Sequence, residues 1–168
     1  MNSGTFLYFT YGLNMLARRL KMRTPSVVSV KTGYVNGRRL TFDKQSSDGS
    51  GKCGAETTGN ITDRVYGVIF KIAVAEKPAL DEAEGLGKGY EKEIIEVVIT
   101  SDSVKAMTYI ATKKEPILRP YNWYKAITIA GAVKHGLRSD FVGRLRTFES
   151  NEYPNTDRRA RNEALLFS

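Results

Sequence analysis

The order of its elements predicts an α+β fold, a mixed but mostly antiparallel sheet curled into a barrel-like core with helices packed outside. Stretches of strand composition fill the first two-thirds of the chain and helical patterns the end, which argues against regular βαβ alternation. Six or so strands of mostly antiparallel type are enough to curl a sheet on itself. At 168 residues, with 41% hydrophobic and 26% charged, the chain has the make-up of an ordinary globular domain with a real core. We therefore expect one domain over residues 1–168, with 154–168 as a C-terminal tail or helix.

The first strand is the apolar run Phe6, Leu7, Tyr8, Phe9, which breaks at Gly12. Leu13, Leu16, Ala17 and Leu20 then recur at helical spacing, with Arg18, Arg19 and Lys21 on the other side, so an amphipathic helix is predicted to about Met22, closed by Pro25. Val28 and Val30 alternate with polar residues. Tyr34-Val35 and Leu40-Thr41-Phe42 flank Asn36-Gly37, a hairpin turn signal that predicts a meander. The Ser- and Gly-rich stretch 44–54 reads as a mobile surface loop, one that could act as a lid. Val65 to Ile72 is a core strand, with Gly67 where a backbone or ligand can come close. A helix follows at about 75–83, tolerating Pro78 in its first turn and ending at Glu84-Gly85. Two more strands, 91–100 and 106–112, precede helices at 122–134 and 140–148. No internal repeat is present.

Composition narrows the chemistry. Cys53 is the only cysteine, so neither an internal disulfide nor a thiolate-built zinc site can form, and with no histidine near it we read it as a bystander. His135, the single histidine, lies at a helix end beside Gly136 and reads as structural or surface. Metal clusters and phosphate-binding Gly-rich loops are absent from the pattern, so no metal or cofactor is expected. No apolar run reaches a membrane span and the first residues lack a basic leader flank, giving a cytoplasmic expectation with no membrane partner. The formal charge of +8 lies in scattered clusters, which reads as solvated surface rather than a nucleic-acid face. It also favours small anionic substrates. Trp123 and exposed aromatics leave a homodimer open.

Two stretches remain as candidates for a site. A strand that breaks at Gly12 into a helix start can hold a carboxylate or oxyanion on free N–H groups, although such a stretch is more often an ordinary connection. Glu84, where a helix stops in a Gly-rich turn, can be aimed into a pocket, although Glu82 and Glu84 also read as solvent-facing helix-end charges.

Tyr11-Gly12-Leu13-Asn14-Met15 resembles the Tyr-Gly-Ser-Asn loop of the gamma-glutamylcyclotransferase family. Asp81-Glu82-Ala83-Glu84-Gly85 with Gly89-Tyr90 resembles that family's second motif, and Val65-Tyr66-Gly67-Val68 its central strand. Tyr121 to Lys125, with Gly131-Ala132 and His135-Gly136-Leu137, is similar to a helix of its bacterial members. The likeness runs over about residues 5–153. It implies that Glu84 is the catalytic acid/base, that Tyr8, Thr10, Tyr11, Gly12, Leu13 and Asn14 cradle the glutamyl group, and that Tyr109 and Tyr124 line the pocket. The implied substrate is a small gamma-glutamyl amine or dipeptide, as in glutathione metabolism, cleaved without cofactor to 5-oxoproline by an acyltransferase or lyase type of reaction. Leu13 stands where the family has Ser. Two alternatives accompany this expectation: removal of a gamma-glutamyl protecting group from a larger biosynthetic intermediate, and a non-catalytic basic binding module on the same fold.

Overall fold

The computed structural model describes residues 4–166; Met1 to Ser3, read above for a leader, and the last two residues of the expected tail lie outside the described residues. In chain order the strands are β1 (Thr5–Thr10), β2 (Val28–Asn36), β3 (Arg38–Gln45), β4 (Gly51–Thr57), β5 (Arg64–Ala73), β6 (Tyr90–Val98) and β7 (Ser103–Ala111). The helices are α1 (Ala17–Lys21), α2 (Lys77–Glu84), α3 (Asn122–Lys134), α4 (Ser139–Thr147) and α5 (Thr156–Glu163), with 3₁₀ turns at Leu13–Met15, Val74–Glu76 and Ala164–Leu166.

Five strands close into a barrel in the order β1-β5-β2-β6-β7. β1 lies antiparallel to β5 and meets β7 in parallel at Tyr8 and Met107, and the remaining pairs are antiparallel. Phe9, Val65, Val68, Ile69, Phe70, Ile72 and Val97 of its strands are fully buried, on the two faces of the sheet. Removing that apolar surface from water, at roughly 25 cal/mol per Å², is what holds the closed sheet. Helix α3 packs Trp123, Tyr124, Ile127 and Ala132 inward. Among the described residues no helix is long and apolar enough to cross a membrane.

Four expectations are corrected. The Asn36-Gly37 turn does not close a hairpin: β2 pairs with β5 and β6, while β3 pairs with β4 in a separate two-stranded sheet. Gly37, at φ 77°, donates its N–H to Asp63 just before β5, so the turn is tied to the strand that β2 already pairs with, and the chain leaves the barrel there. Nor is the stretch 44–54 a mobile loop. It forms the ends of β3 and β4 around a short turn, and Gln45, Gly51 and Asp43 share backbone hydrogen bonds with Lys113, Arg119 and Glu115 of the segment after β7. Small residues in β4 hide its strand character, because their burial comes from packing rather than from their own apolarity.

The helix predicted from Leu13 to Met22 is interrupted at Leu16, whose backbone is extended (φ −76°, ψ 98°). Gly131 of α3 lies directly over this break, and a Cβ there would stand 2.7 Å from the Leu16 nitrogen. Trp123, finally, is 3% exposed, so it offers nothing to a partner. Its ring lies edge-on to Tyr124 and tilted against Tyr153, and Arg19 lies 6.0 Å from its ring centre.

Candidate active site

A cavity of about 600 Å³ opens between the end of β1, the Leu13–Met15 turn, the C-terminus of α2 and the β3–β4 hairpin. Tyr8, Thr10, Tyr11, Gly12, Leu13, Asn14, Glu84, Tyr109 and Tyr124 all line it, so residues up to 116 positions apart in the chain share one space. Glu82, the other helix-end carboxylate, is exposed, whereas Glu84 is half-buried.

Backbone closure of α2 aims Glu84. Pro78 starts the helix without wasting a donor, and Gly85 ends it at φ 72°. The Leu86 N–H returns to the Asp81 carbonyl (3.0 Å) and the Gly85 N–H to that of Glu82 (3.1 Å), the paired bonds of a Schellman motif. Glu84 is therefore held at the helix terminus with its side chain turned into the cavity. Its carboxylate accepts a close hydrogen bond from the Asn14 amide, which also donates to the Tyr8 hydroxyl at 3.1 Å. Burial pushes the Glu84 carboxyl above its ordinary range; the Asn14 bond and the positive charges of Arg19, Arg23 and Lys52 act against that rise.

The tyrosines form the walls. The Tyr109 hydroxyl donates to Asp81 (2.6 Å), whose other oxygen pairs with Lys92 (2.9 Å), and its ring stands edge-on to Tyr8 at 5.8 Å. Tyr11 donates to the Tyr109 carbonyl at 2.6 Å. Tyr124 accepts the Cys53 N–H (3.0 Å) and Tyr90 donates to the Cys53 carbonyl (2.7 Å), so β4 is pinned across the cavity by two ring hydroxyls. Burial raises the phenols of Tyr8, Tyr11, Tyr109 and Tyr124 and keeps them protonated. The Cys53 thiol is pushed up to about 12, also by burial, which keeps it far from thiolate character at neutral pH.

Gly12 packs against Cys53, and a Cβ on it would lie 3.1 Å from that residue's Cβ. The turn that follows is a three-residue 3₁₀ segment rather than the start of a long helix. Its Met15 and Leu16 N–H groups bond back to Gly12 and Leu13. Among the described residues, no protein acceptor meets the N–H groups of Leu13 and Asn14.

The sequence pattern missed part of this space. Arg19 and Arg23, expected on a solvated helix face, line the cavity, as do Lys44 and Lys52 of the hairpin. The four-residue spacing of the arginines was a usable signal; the lysines face each other only because β3 and β4 pair. Asp81 was also missed as a support for Tyr109. His135 does not line the cavity but sits edge-on to Phe70 at the end of α3. Among the described residues no cluster of His, Cys, Asp and Glu is placed to hold a metal ion.

The gamma-glutamylcyclotransferase of Mus musculus is 31% identical to this chain over 159 residues, covering 89% of this chain and 81% of that protein. The chain belongs to the gamma-glutamylcyclotransferase family. The protein of the same name from Homo sapiens is similar to the same extent. A solved structure described as a gamma-glutamyl cyclotransferase superposes with a TM-score of 0.86 at 25% identity, covering 98% of this chain and 99% of its own. The model of the AIG2-like family matches residues 64–145, the span from β5 into α4 that includes Glu84.

Proposed function

We propose that the protein is a cofactor-free cyclotransferase that converts a gamma-glutamyl amine or dipeptide into 5-oxoproline and the free amine or amino acid. The observation that carries this reading is the Glu84 carboxyl, half-buried in the cavity, raised by burial, and hydrogen-bonded to Asn14 of the Gly12 turn. A carboxylate so placed suits a group that must take up a proton and give it back near neutral pH.

Glu84 removes a proton from the substrate's α-ammonium, and the freed amine attacks the side-chain carbonyl carbon of the same glutamyl residue. A carbon–nitrogen bond forms, closing a five-membered ring. The tetrahedral intermediate then expels the original amide nitrogen, which takes the proton held by Glu84; the extra proton of the ring nitrogen follows through the regenerated carboxylate, so a neutral 5-oxoproline ring and a leaving ammonium result, and atoms and charge balance. Because the nucleophile belongs to the substrate, the enzyme needs no activated Ser or Cys, in keeping with the protonated Cys53 thiol. Ring closure is a proximity effect, for which effective molarities of roughly 10⁵–10⁸ M are known in well-aligned cases. The N–H groups of Leu13 and Asn14 suit the substrate carboxylate or the oxyanion, an oxyanion donor being worth about 3 kcal/mol. Tyr8, Thr10, Tyr11, Tyr109 and Tyr124 fix the width of the space in which the glutamyl chain folds.

Incubation with gamma-glutamyl-alanine and mass-spectrometric detection of 5-oxoproline tests the reading. Glu84→Gln, which keeps an acceptor for Asn14 but cannot carry the proton, is expected to lose at least about a thousandfold in kcat. Unchanged turnover in that variant removes Glu84 from the reaction.

A further inference from the structure

Two like-charge pairs stand in the wall of the cavity. Lys44 and Lys52 are cross-strand partners in the β3–β4 hairpin, directly opposite each other. Arg19 and Arg23 are four residues apart on and just beyond α1. Both arrangements are unfavourable by themselves, since like charges opposite on a ladder or at this helical spacing repel. Neither pair is relieved by an ion pair: among the described residues, no carboxylate lies within salt-bridge distance of any of the four.

Lys44 is the sharpest case. It is only 8% exposed, and its ammonium lies 4.7 Å from the centre of the Tyr90 ring, with no carboxylate against it. A buried ammonium normally has an anionic partner, because leaving one desolvated and unpaired is costly. Asp48, a hairpin carboxylate whose charge acts on both Lys44 and Lys52, is engaged by the Ser50 N–H and hydroxyl at 3.0 and 2.6 Å. Lys88 and Lys113 also line the cavity, which makes six cations against the two carboxylates of Glu82 and Glu84. The glutamyl end of a substrate is a zwitterion and offsets none of this.

We propose that the hairpin and α1 form an anion site for the leaving group, and that Lys44, Lys52, Arg19 and Arg23 select gamma-glutamyl compounds whose leaving amine carries two or more negative charges. The proposal rests on the cyclotransferase reading for the position of the scissile bond. The cations lie around the same cavity as Glu84, so a leaving group bound to Glu84's side of the space meets them with its own carboxylates or phosphate. Their mutual repulsion in the free protein is relieved when such a group enters, which favours acidic over neutral leaving groups.

The test is a charge ladder: gamma-glutamyl-butylamine, gamma-glutamyl-alanine, gamma-glutamyl-glutamate and gamma-glutamyl-O-phosphoserine, compared by kcat/KM for 5-oxoproline release. The acidic pair is expected to exceed the butylamine compound by about 100-fold, each charged contact contributing about tenfold. The last two compounds separate carboxylate from phosphate recognition. Lys52→Met and Lys44→Met are each expected to shrink the ratio of glutamate to butylamine efficiencies about tenfold, and a ratio is insensitive to the fraction of protein folded. Calorimetric titration of Glu84→Gln with the same compounds reads the ladder without turnover. A binding ladder with no 5-oxoproline from wild type overturns the reaction and supports the anion site. Turnover of all four within about threefold of one another, or unchanged ratios in both lysine variants, overturns the anion site and leaves the reaction intact. Neither turnover nor a binding ladder overturns both.

Discussion

Under the acid/base role proposed for Glu84, burial and function pull against each other. The folded protein holds the Glu84 proton more tightly than the unfolded chain, because burial raises the carboxyl above its ordinary 4.5. This group therefore favours folding below that ordinary value, and the contribution is lost as pH rises through the folded value. Glu84→Gln removes a buried charge at pH 7 to 8 while keeping an acceptor for Asn14, so it is expected to raise the melting temperature at that pH while abolishing turnover. An unchanged or lowered melting temperature in calorimetry contradicts this balance. With Glu84 in its proposed role, the same shift is expected to set the acid limb of kcat/KM, activity falling as pH drops through the raised Glu84 pKa, and a pH–rate profile checks it. Leu13 is the chain's departure from the family loop. Its N–H is free to bind and its side chain only lines the cavity. Leu13→Ser is thus expected to change kcat/KM less than about fivefold, within the reach of one added hydrogen bond; a much larger gain would show that the missing hydroxyl limits this chain.

Two glycines decide how the elements meet. Gly131 brings α3 onto the backbone of Met15 and Leu16, where a Cβ would lie 2.7–2.9 Å from three atoms. Gly131→Ala must push α3 off the turn that carries Asn14, at a cost of about 1–3 kcal/mol in urea unfolding. A variant as stable as wild type would mean that the turn gives way freely. Gly85 ends α2 in the left-handed region, which costs a residue with a Cβ about 1–2 kcal/mol. Elements of this kind were partly legible in the chain: Pro78 and Gly85 bracket α2, and the apolar spacing from Asn122 marks α3. The short β4 was not legible, because Gly51, Gly54 and Ala55 carry no strand signature and owe their place to pairing with β3. The break at Leu16 was also invisible, since the helix backbone that packs on it comes from Gly131, 115 residues away.

Over the whole molecule, six of the chain's 26 Lys and Arg residues line the cavity. Six cations around one cavity raise the local concentration of an approaching anion. Their reach is screened by salt over about 10 Å at 0.1 M. The kcat/KM of gamma-glutamyl-glutamate is therefore expected to fall several-fold as salt rises from about 20 to about 500 mM, while that of gamma-glutamyl-butylamine stays nearly level. Equal salt dependence of the two compounds contradicts a cavity-centred field. By itself the sequence determined the class of fold, the two motifs and the lack of multi-thiolate clusters, imidazole clusters or Gly-rich phosphate loops, because periodicity, turn residues and residue inventory are local properties. Only the tertiary structure decided that Glu84 rather than Glu82 is the half-buried carboxylate of the cavity, that β2 and β3 part company at Gly37, and that Arg19, Arg23, Lys44 and Lys52 converge on one space. Those outcomes depend on contacts between residues far apart in the chain, which burial and strand pairing select and which no local pattern records.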